Sequence, residues 1–157
     1  EEQKMSGYTG DQFAVDLLNL ILHNANLPLV GDATGLRGSS VAGNLSLALH
    51  NADPTAAGDQ TSHVTAYTNY ARVAITRVAG QWTVSVSYPS PAQAANNNVE
   101  TFPVCGATGD TLTHASLGVA ASGPSKIILA GPLQAPLILN NLGTPYFPAG
   151  ALVLTQS

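Results

Sequence analysis

The chain has 157 residues, which is long enough for one domain with a hydrophobic core that needs no metal or disulfide. Charged residues make up only 9% of the sequence, against a usual share of about 25%, and the formal net charge is −4. The basic residues form no cluster for phosphates and no apolar run approaches the ~18 residues of a membrane span, so we expect neither a nucleic-acid nor a membrane partner.

The first predicted element is an α-helix over residues 11–23. Thr9 opens a Thr-Gly-Asp-Gln box, in which we expect the Thr9 side chain to cap the helix and Gln12 to reach back to it. Asn24 and Pro28 follow the last apolar residues and are expected to end the helix.

One face of this helix is apolar. Phe13, Leu17 and Ile21 recur with the i, i+4, i+8 spacing of a helical stripe. Burying such a side chain contributes about 1.5–3 kcal/mol, so leaving all three in water is unfavourable. We therefore predict that Phe13, Leu17 and Ile21 are buried, within the fold or against another subunit, and we take them as candidate interface residues.

Everything after a Gly-rich connector is predicted as strands and turns. Residues 1–42 would form an N-terminal arm with the helix and the connector, and residues 43–157 a β domain. About eight strand-like segments are separated by Gly, Pro and Asn, which favours an antiparallel β-sandwich or jelly-roll-like domain with one N-terminal α-helix. The predicted strands cover residues 44–50, 70–78, 81–88, 99–104, 111–119, 126–130, 136–139 and 151–155.

Three details of these strands follow from the residue pattern. In residues 44–50, leucines alternate with smaller or polar residues, so one face of the strand should be buried. Pro89 and Pro91 should end the third strand or place it at a sheet edge. Gly131 and Pro132 should separate the sixth strand from the seventh.

Two arginines are further candidate interface residues. Arg72 and Arg77 lie five apart on the predicted strand at residues 70–78, so their side chains should point to opposite faces. We expect one to pair with an acidic residue within the domain and the other to meet a partner. The alternative is two solvated charges that contribute little.

No arrangement of residues in the sequence predicts an enzyme. The Gly-x-Ser-x-Gly string of a nucleophile elbow is absent, and the glycine-rich residues 31–38 lack the Gly-Lys-Ser/Thr ending of a phosphate loop. The four histidines have no metal-ligand spacing with one another or with Cys105. We therefore expect no catalytic, cofactor-binding or metal-binding residues, and no cofactor.

Several notable residues are better explained by structural roles. His50 and His114 adjoin strands and should anchor turns by hydrogen bonds. Asp53 lies in a turn sequence and should accept backbone hydrogen bonds. The single cysteine, Cys105, should fill the interior as a small apolar residue, and it fits assembly in a reducing cytoplasm. Trp82 should pack on the sheet.

The neutral composition also bears on assembly. Small neutral side chains lose little conformational entropy and little hydration when they are covered, which suits a subunit packed permanently against neighbours. Few ion pairs can form across such an interface, so attachment should rest on apolar burial and neutral hydrogen bonds. The alternative is a monomeric sandwich with a neutral surface.

Several short motifs occur in order from the first predicted strand to the last. They are Leu45-Ser-Leu-Ala-Leu-His-Asn-Ala-Asp-Pro-Thr55, Tyr70-Ala-Arg-Val73, Thr101-Phe-Pro103, Thr113-His-Ala-Ser-Leu-Gly118, Ile128-Leu-Ala-Gly-Pro-Leu133 and the ending from Phe147 to Leu154. In this order, residues 44–155 resemble a group of small virion proteins of tailed bacteriophages, labelled head-decoration (cement) or tail-fibre-like proteins. The chain departs from them at residues 105–110, where a tryptophan-containing turn is expected.

The resemblance implies a structural subunit of a virion that assembles in the host cytoplasm. The preferred role is a capsid decoration or cement protein that bridges and stabilises the phage major capsid protein, or that binds other virion proteins. A homo-oligomer, for instance a trimer at a threefold position, would fit that role. The alternative is a tail-fibre or tail-tip module, either structural or receptor-binding.

A third possibility is a carbohydrate-binding β-sandwich on the virion surface. Such a site needs exposed aromatic side chains, for which the tyrosines Tyr67, Tyr70, Tyr88 and Tyr146 are the candidates. Burial of these tyrosines would count against this class of protein.

Overall fold

The computed structural model describes residues 9–31, 35–87 and 90–156. Within these residues the fold is mainly antiparallel β with a single α-helix near the N-terminus, as predicted, and a sandwich-like arrangement fits it. The elements in chain order are α1 (Asp11–His23), β1 (Asn44–His50), β2 (Val73–Thr76), a short 3-10 helix η1 (Ala79–Gln81), β3 (Trp82–Ser87), β4 (Ser90–Asn96), β5 (Glu100–Thr101), β6 (Asp110–Gly118), β7 (Ile127–Leu139), β8 (Tyr146–Phe147) and β9 (Val153–Gln156).

The strands form three sheets with the orders β2-β1-β6-β7, β3-β4-β9 and β5-β8. The chain divides into two compact units. One, here called the β unit, consists of Gly43–Thr76 and Asn98–Ala149 and holds the four-stranded and two-stranded sheets. The other, here called the helical unit, consists of the described residues of Glu1–Ala42, Arg77–Asn97 and Gly150–Ser157, and holds α1 and the three-stranded sheet.

Helix α1 has the predicted bounds but a different N-terminal cap. Its N-cap is Gly10, in extended conformation and without a side-chain hydrogen bond, so the predicted cap by Thr9 is wrong. The peptide carbonyl of Gly10 accepts the first helical hydrogen bond, from the amide of Ala14 at 3.0 Å. The helix ends at Asn24, which adopts the left-handed conformation (φ 56°) that often terminates a helix.

The helix buries a different stripe from the one predicted. Ala14, Leu18 and Leu22 are buried, and α1 packs on β3 and β4 of its own unit. Phe13 is 45% exposed, and Leu17 and Ile21 are only half-buried, so this face is not buried within the fold, and its burial against another subunit stays a prediction. The predicted and the buried stripe have the same i, i+4, i+8 spacing and are offset by one residue. The spacing alone therefore does not say which stripe faces the sheet.

Strand β1 has the predicted bounds, but both of its faces are buried. The three leucines point into the core as predicted, and Ser46, Ala48 and His50 on the opposite face are also buried. The prediction of one buried face is therefore wrong. The reason is the position of β1 inside the sheet, between β2 and β6, with the loop at residues 51–65 bonded to its end at Leu49 and His50.

Two of the predicted strand boundaries that rest on prolines differ from the structure. Strand β7 runs unbroken through Gly131 and Pro132, so the predicted separation there is wrong. It is an edge strand, where a residue without an N–H need not interrupt the ladder of hydrogen bonds. The register of β7 with β6 shifts between the pairs Leu112–Leu137 and His114–Pro132. Strand β4 contains Pro91 near its start and was not predicted.

Candidate functional site

A buried polar network links β1 and β6 in the β unit. His50 Nδ1 lies 2.9 Å from the carbonyl oxygen of Ser62, and His50 Nε2 lies 2.7 Å from Ser116 Oγ. Because a carbonyl only accepts, Nδ1 carries the proton and the Ser116 hydroxyl donates to Nε2. Gln60 Nε2 donates to the Ser116 hydroxyl at 3.2 Å and to the carbonyl of Ser46 at 2.8 Å.

A serine hydroxyl bonded to a histidine is also the arrangement that activates a nucleophile. Here His50 and Ser116 are 0% and 2% exposed, so a substrate in solution cannot reach them. The network instead holds the loop at residues 51–65 against the sheet, which confirms the anchoring role predicted for His50. His114 Nδ1 lies 2.9 Å from the hydroxyl of the neighbouring Thr113.

Two arginines clamp main-chain carbonyl groups. Arg72 lies immediately before β2 and donates to the carbonyls of Ala120 (2.9 Å), Gln60 (3.0 Å) and Gly123 (2.8 Å). This ties the loop after β1 to the turn after β6 within the β unit. The guanidinium of Arg72 is half-buried, and all three of its carbonyl acceptors belong to its own chain.

Arg77 follows β2 and clamps the C-terminal end of α1. It donates to the carbonyls of Ile21 (2.6 Å), Leu20 (2.7 Å) and Ala42 (3.2 Å) in the helical unit. A cation at this end of a helix is favoured, because the last carbonyls lack helical partners. The prediction that the two arginines share a strand and that one pairs with an acid is wrong, since both bind main-chain oxygens.

Acidic side chains shape turns in the β unit. Asp53 Oδ1 accepts from the amide of Thr55 at 2.8 Å, which confirms its predicted turn role. Asp110 accepts from the hydroxyl of Thr65 at 2.7 Å and from the amide of Thr111 at 2.7 Å. Burial alone would raise the pKa of Asp110, but these hydrogen bonds outweigh it and lower the pKa.

An open cleft of about 440 Å³ lies in the β unit between the loop at residues 53–58 and the first half of β7. Its charged groups are few: the carboxylate of Asp53, already bonded to its own turn, and the ammonium of Lys126. Across the part of the chain that the structure describes, no group of three His, Cys, Asp or Glu residues is placed to hold a metal ion. The cleft therefore brings one carboxylate, one ammonium group and the hydroxyl of Thr55 to a mainly aliphatic wall, and these groups form no metal-binding set.

Residues 99–105 and 142–147 form an antiparallel ribbon, hereafter the ribbon, at the β5–β8 pair. Glu100 and Thr101 pair with Phe147 and Tyr146. The pairing continues through main-chain hydrogen bonds, which run from Phe102 N to Pro145 O (2.9 Å), from Cys105 N to Gly143 O (2.8 Å) and from Leu142 N to Cys105 O (2.8 Å).

The two faces of the ribbon differ in burial. Glu100, Phe102 and Cys105 are buried, which places Cys105 in the interior as predicted. The exposed side chains lack charge. Four of them are large and apolar, with 48% to 78% exposure (Val99, Val104, Leu142 and Tyr146), and Thr101 and Thr144 are also exposed. Large apolar groups held in water on one supersecondary element are typical of a surface that another molecule covers.

The predicted aromatic patch is not assembled. Tyr67 is buried, with its hydroxyl donating to the carbonyl of Pro103 at 3.0 Å, and Tyr70 is half-buried with its hydroxyl accepting from the amide of Leu49 at 3.1 Å. Tyr146 is exposed, and Tyr88 lies outside the described residues. The burial of Tyr67 and Tyr70 counts against a carbohydrate-binding class.

A family model described as podophage GP4 fiber I protein gp80 matches residues 34–155. The chain belongs to this family. The match spans the whole β unit, with Arg72, Arg77 and the ribbon, whereas helix α1 precedes it. No curated protein matches the chain.

Membership of the gp80 family makes the chain a phage structural protein and a virion component. The family description names a fibre protein, so it agrees better with the predicted tail-fibre alternative than with the preferred capsid decoration role. In residues 9–31, 35–87 and 90–156, no helix is long and apolar enough to cross a membrane.

The stability of the β unit should depend on pH through His50. Burial, opposed by the bond to Ser62, lowers the pKa of His50 from its usual 6.5. The unfolded chain therefore binds a proton near pH 6.5 while the folded chain does not. The contribution of His50 to stability is thus full above that pH and is lost as the pH falls below it, by up to about 1.4 kcal/mol per pH unit. Urea unfolding at several pH values between 5 and 8 measures this loss.

The variant His50→Gln should show a weaker pH dependence than the wild type in the same window. His63→Asn is the matched control, because His63 is exposed and its left-handed backbone (φ 51°) suits asparagine. An equal slope in His50→Gln and the wild type would contradict the assignment.

Proposed function

We propose that the chain is a non-enzymatic structural subunit of a phage fibre that packs against copies of itself and other virion proteins through neutral surfaces. The observation that carries the proposal is the match of residues 34–155 to a fibre protein family. The uncharged, exposed apolar side of the ribbon supports it, because a subunit that stayed monomeric would leave these side chains in water.

The ribbon is a better candidate contact than the open edge of β7. That edge strand is long and uncharged, with Gln134 as its single polar side chain, and an exposed edge can accept a strand from a partner. However, Pro132, Pro136 and the shift of register are devices that protect an edge from pairing. The helix residues Phe13, which is exposed, and Leu17 and Ile21, which are half-buried, remain a second candidate contact, outside the matched segment.

The few charges of the chain support neutral attachment. Arg72 and Arg77 are occupied by main-chain carbonyls, and Asp53 and Asp110 by their own turns. Asp11, Arg37 and Lys126 are exposed and keep a charge for a partner. Most other exposed groups in the described residues are apolar or neutral polar, and their contacts are insensitive to screening.

The location of the protein on the virion tests the proposal directly. Cryo-electron microscopy of intact particles, with the fold of this chain fitted to the map, should place it in a fibre attached to the tail. Density for the chain on the outer surface of the capsid would overturn the fibre proposal and support the decoration alternative.

Assembly should survive high salt. We expect the oligomeric state of the purified chain, measured by light scattering coupled to size-exclusion chromatography, to be the same in 0.1 M and roughly 1 M sodium chloride, where the Debye length is only about 3 Å. Dissociation at moderate salt with an intact fold would indicate that charges hold the assembly together.

The substitution Leu142→Asp should weaken assembly without harming the fold. Leu142 is 78% exposed and has a left-handed backbone (φ 66°), a conformation that aspartate adopts more readily than leucine. Covering an apolar side chain contributes about 1.5–3 kcal/mol, so the dissociation constant should rise about 10- to 100-fold.

The matched control is Val41→Asp, which puts the same charge on an equally exposed apolar position, 76% exposed, away from the ribbon in sequence. Thermal unfolding reports whether each variant keeps its fold. Unchanged assembly in Leu142→Asp would remove the ribbon as the contact surface.

A further inference from the structure

Glu100 is a carboxylic acid in an unusual position on the buried side of the ribbon. Its side chain is 6% exposed, and Oε1 is fully buried without a hydrogen-bond partner among the described residues. A carboxylate in such surroundings loses its hydration without compensation, whereas a neutral carboxyl group loses much less. The fold therefore accommodates the protonated form better than the ionised form.

The neighbouring part of the β unit is aromatic. Glu100 pairs with Phe147, whose ring centroid lies 6.4 Å from that of Phe102, and Phe102 in turn stacks with Tyr70 at 6.4 Å. The other titratable groups of the ribbon are Cys105 and Tyr146. Neither these nor the phenols of Tyr67 and Tyr70 can supply a positive charge to neutralise a carboxylate.

We propose that Glu100 acts as a pH-dependent latch of the ribbon, closed when its carboxyl group is protonated and loosened when that proton passes to water. Ionisation requires water to reach the carboxylate, and opening of the β5–β8 pairing would admit it. The latch follows from the structure of the ribbon alone. Its consequence, that rising pH changes the exposed side of the ribbon where the fibre contact is placed, rests on the proposed function.

The direction of the effect is fixed by burial. Burial raises the pKa of Glu100 from its usual 4.5. The pKa of Glu100 is therefore higher in the folded state than in the unfolded state. Such a group stabilises the fold fully at pH values below its pKa in the unfolded state, here 4.5. That contribution is lost as the pH rises through its pKa in the folded state. The ribbon should thus be tightest in acid and open more often towards neutral pH.

Hydrogen exchange measures the opening of the ribbon. The amides of Phe102, Cys105 and Leu142 are hydrogen-bonded within it, and their protection factors report its opening equilibrium. In the wild type these factors should fall as the pH rises above 4.5, by at most about tenfold per pH unit. In Glu100→Gln, which is isosteric and never ionises, they should stay constant and exceed the wild-type values at pH 7.

The matched control is Asp53→Asn, which removes the charge of an exposed acid and keeps an oxygen for the amide of Thr55. This variant should retain the wild-type pH response. Identical pH profiles in the wild type and Glu100→Gln would overturn the latch.

A second measurement does not depend on the variant folding. Carbon-13 NMR titration of the Glu100 carboxyl group in the wild type should give a midpoint above 4.5, and a midpoint at or below 4.5 would also overturn the latch. Assembly is assayed separately. If the ribbon opens with pH but the chain never assembles, the proposed function fails and the latch stands.

Discussion

The buried polar side chains of β1 are cut off from water, and the β unit is arranged around that constraint. Ser46 and His50 are buried on the face of β1 opposite its leucines, and a buried polar group needs a partner inside the protein. The hydroxyl of Ser116 bonds the His50 ring, and Gln60, from the long loop that follows β1, donates to Ser116 and to the main-chain carbonyl of Ser46. Gln60 is therefore part of the core, although the sequence of its loop resembles an ordinary polar connection.

Arg72 satisfies main-chain polar groups nearer the surface in the same way. Its guanidinium bonds the carbonyl of Gln60, whose side chain serves the buried network, and it also bonds Ala120 and Gly123. One cation thus fixes two loops that have no regular secondary structure to satisfy their carbonyl groups. In a chain with so few charges, two of the five basic residues, Arg72 and Arg77, thus bind the folded backbone.

The sequence predicted elements that depend on local chemistry. The bounds of α1 and β1 agree with the structure because caps, breakers and periodicity act over a few residues. The continuity of β7 was missed because a proline is tolerated or not according to the strand's place in the sheet, which is a tertiary property. Likewise, two helical stripes with the same spacing differ only in which one meets a sheet.

The functional residues were harder to predict. Arg72 and Arg77 were taken as candidate interface residues, which stays a prediction. The acceptors that the structure gives them are carbonyl groups, which every residue carries and no sequence pattern distinguishes. The ribbon joins segments far apart in the chain, so its exposed apolar residues look scattered in sequence. In the sequence, Glu100 resembles an ordinary surface acid, and only the pairing of β5 with β8 shows that its side chain is buried.

The interleaving of the two units has a consequence for biosynthesis. The three-stranded sheet of the helical unit is completed by β9, whereas α1 on that sheet is translated more than 100 residues earlier. The β unit finishes its own chain at residue 149, before β9 is made. A chain that ended near residue 150 would therefore hold every segment of the β unit but lack the strand that completes the sheet on which α1 packs.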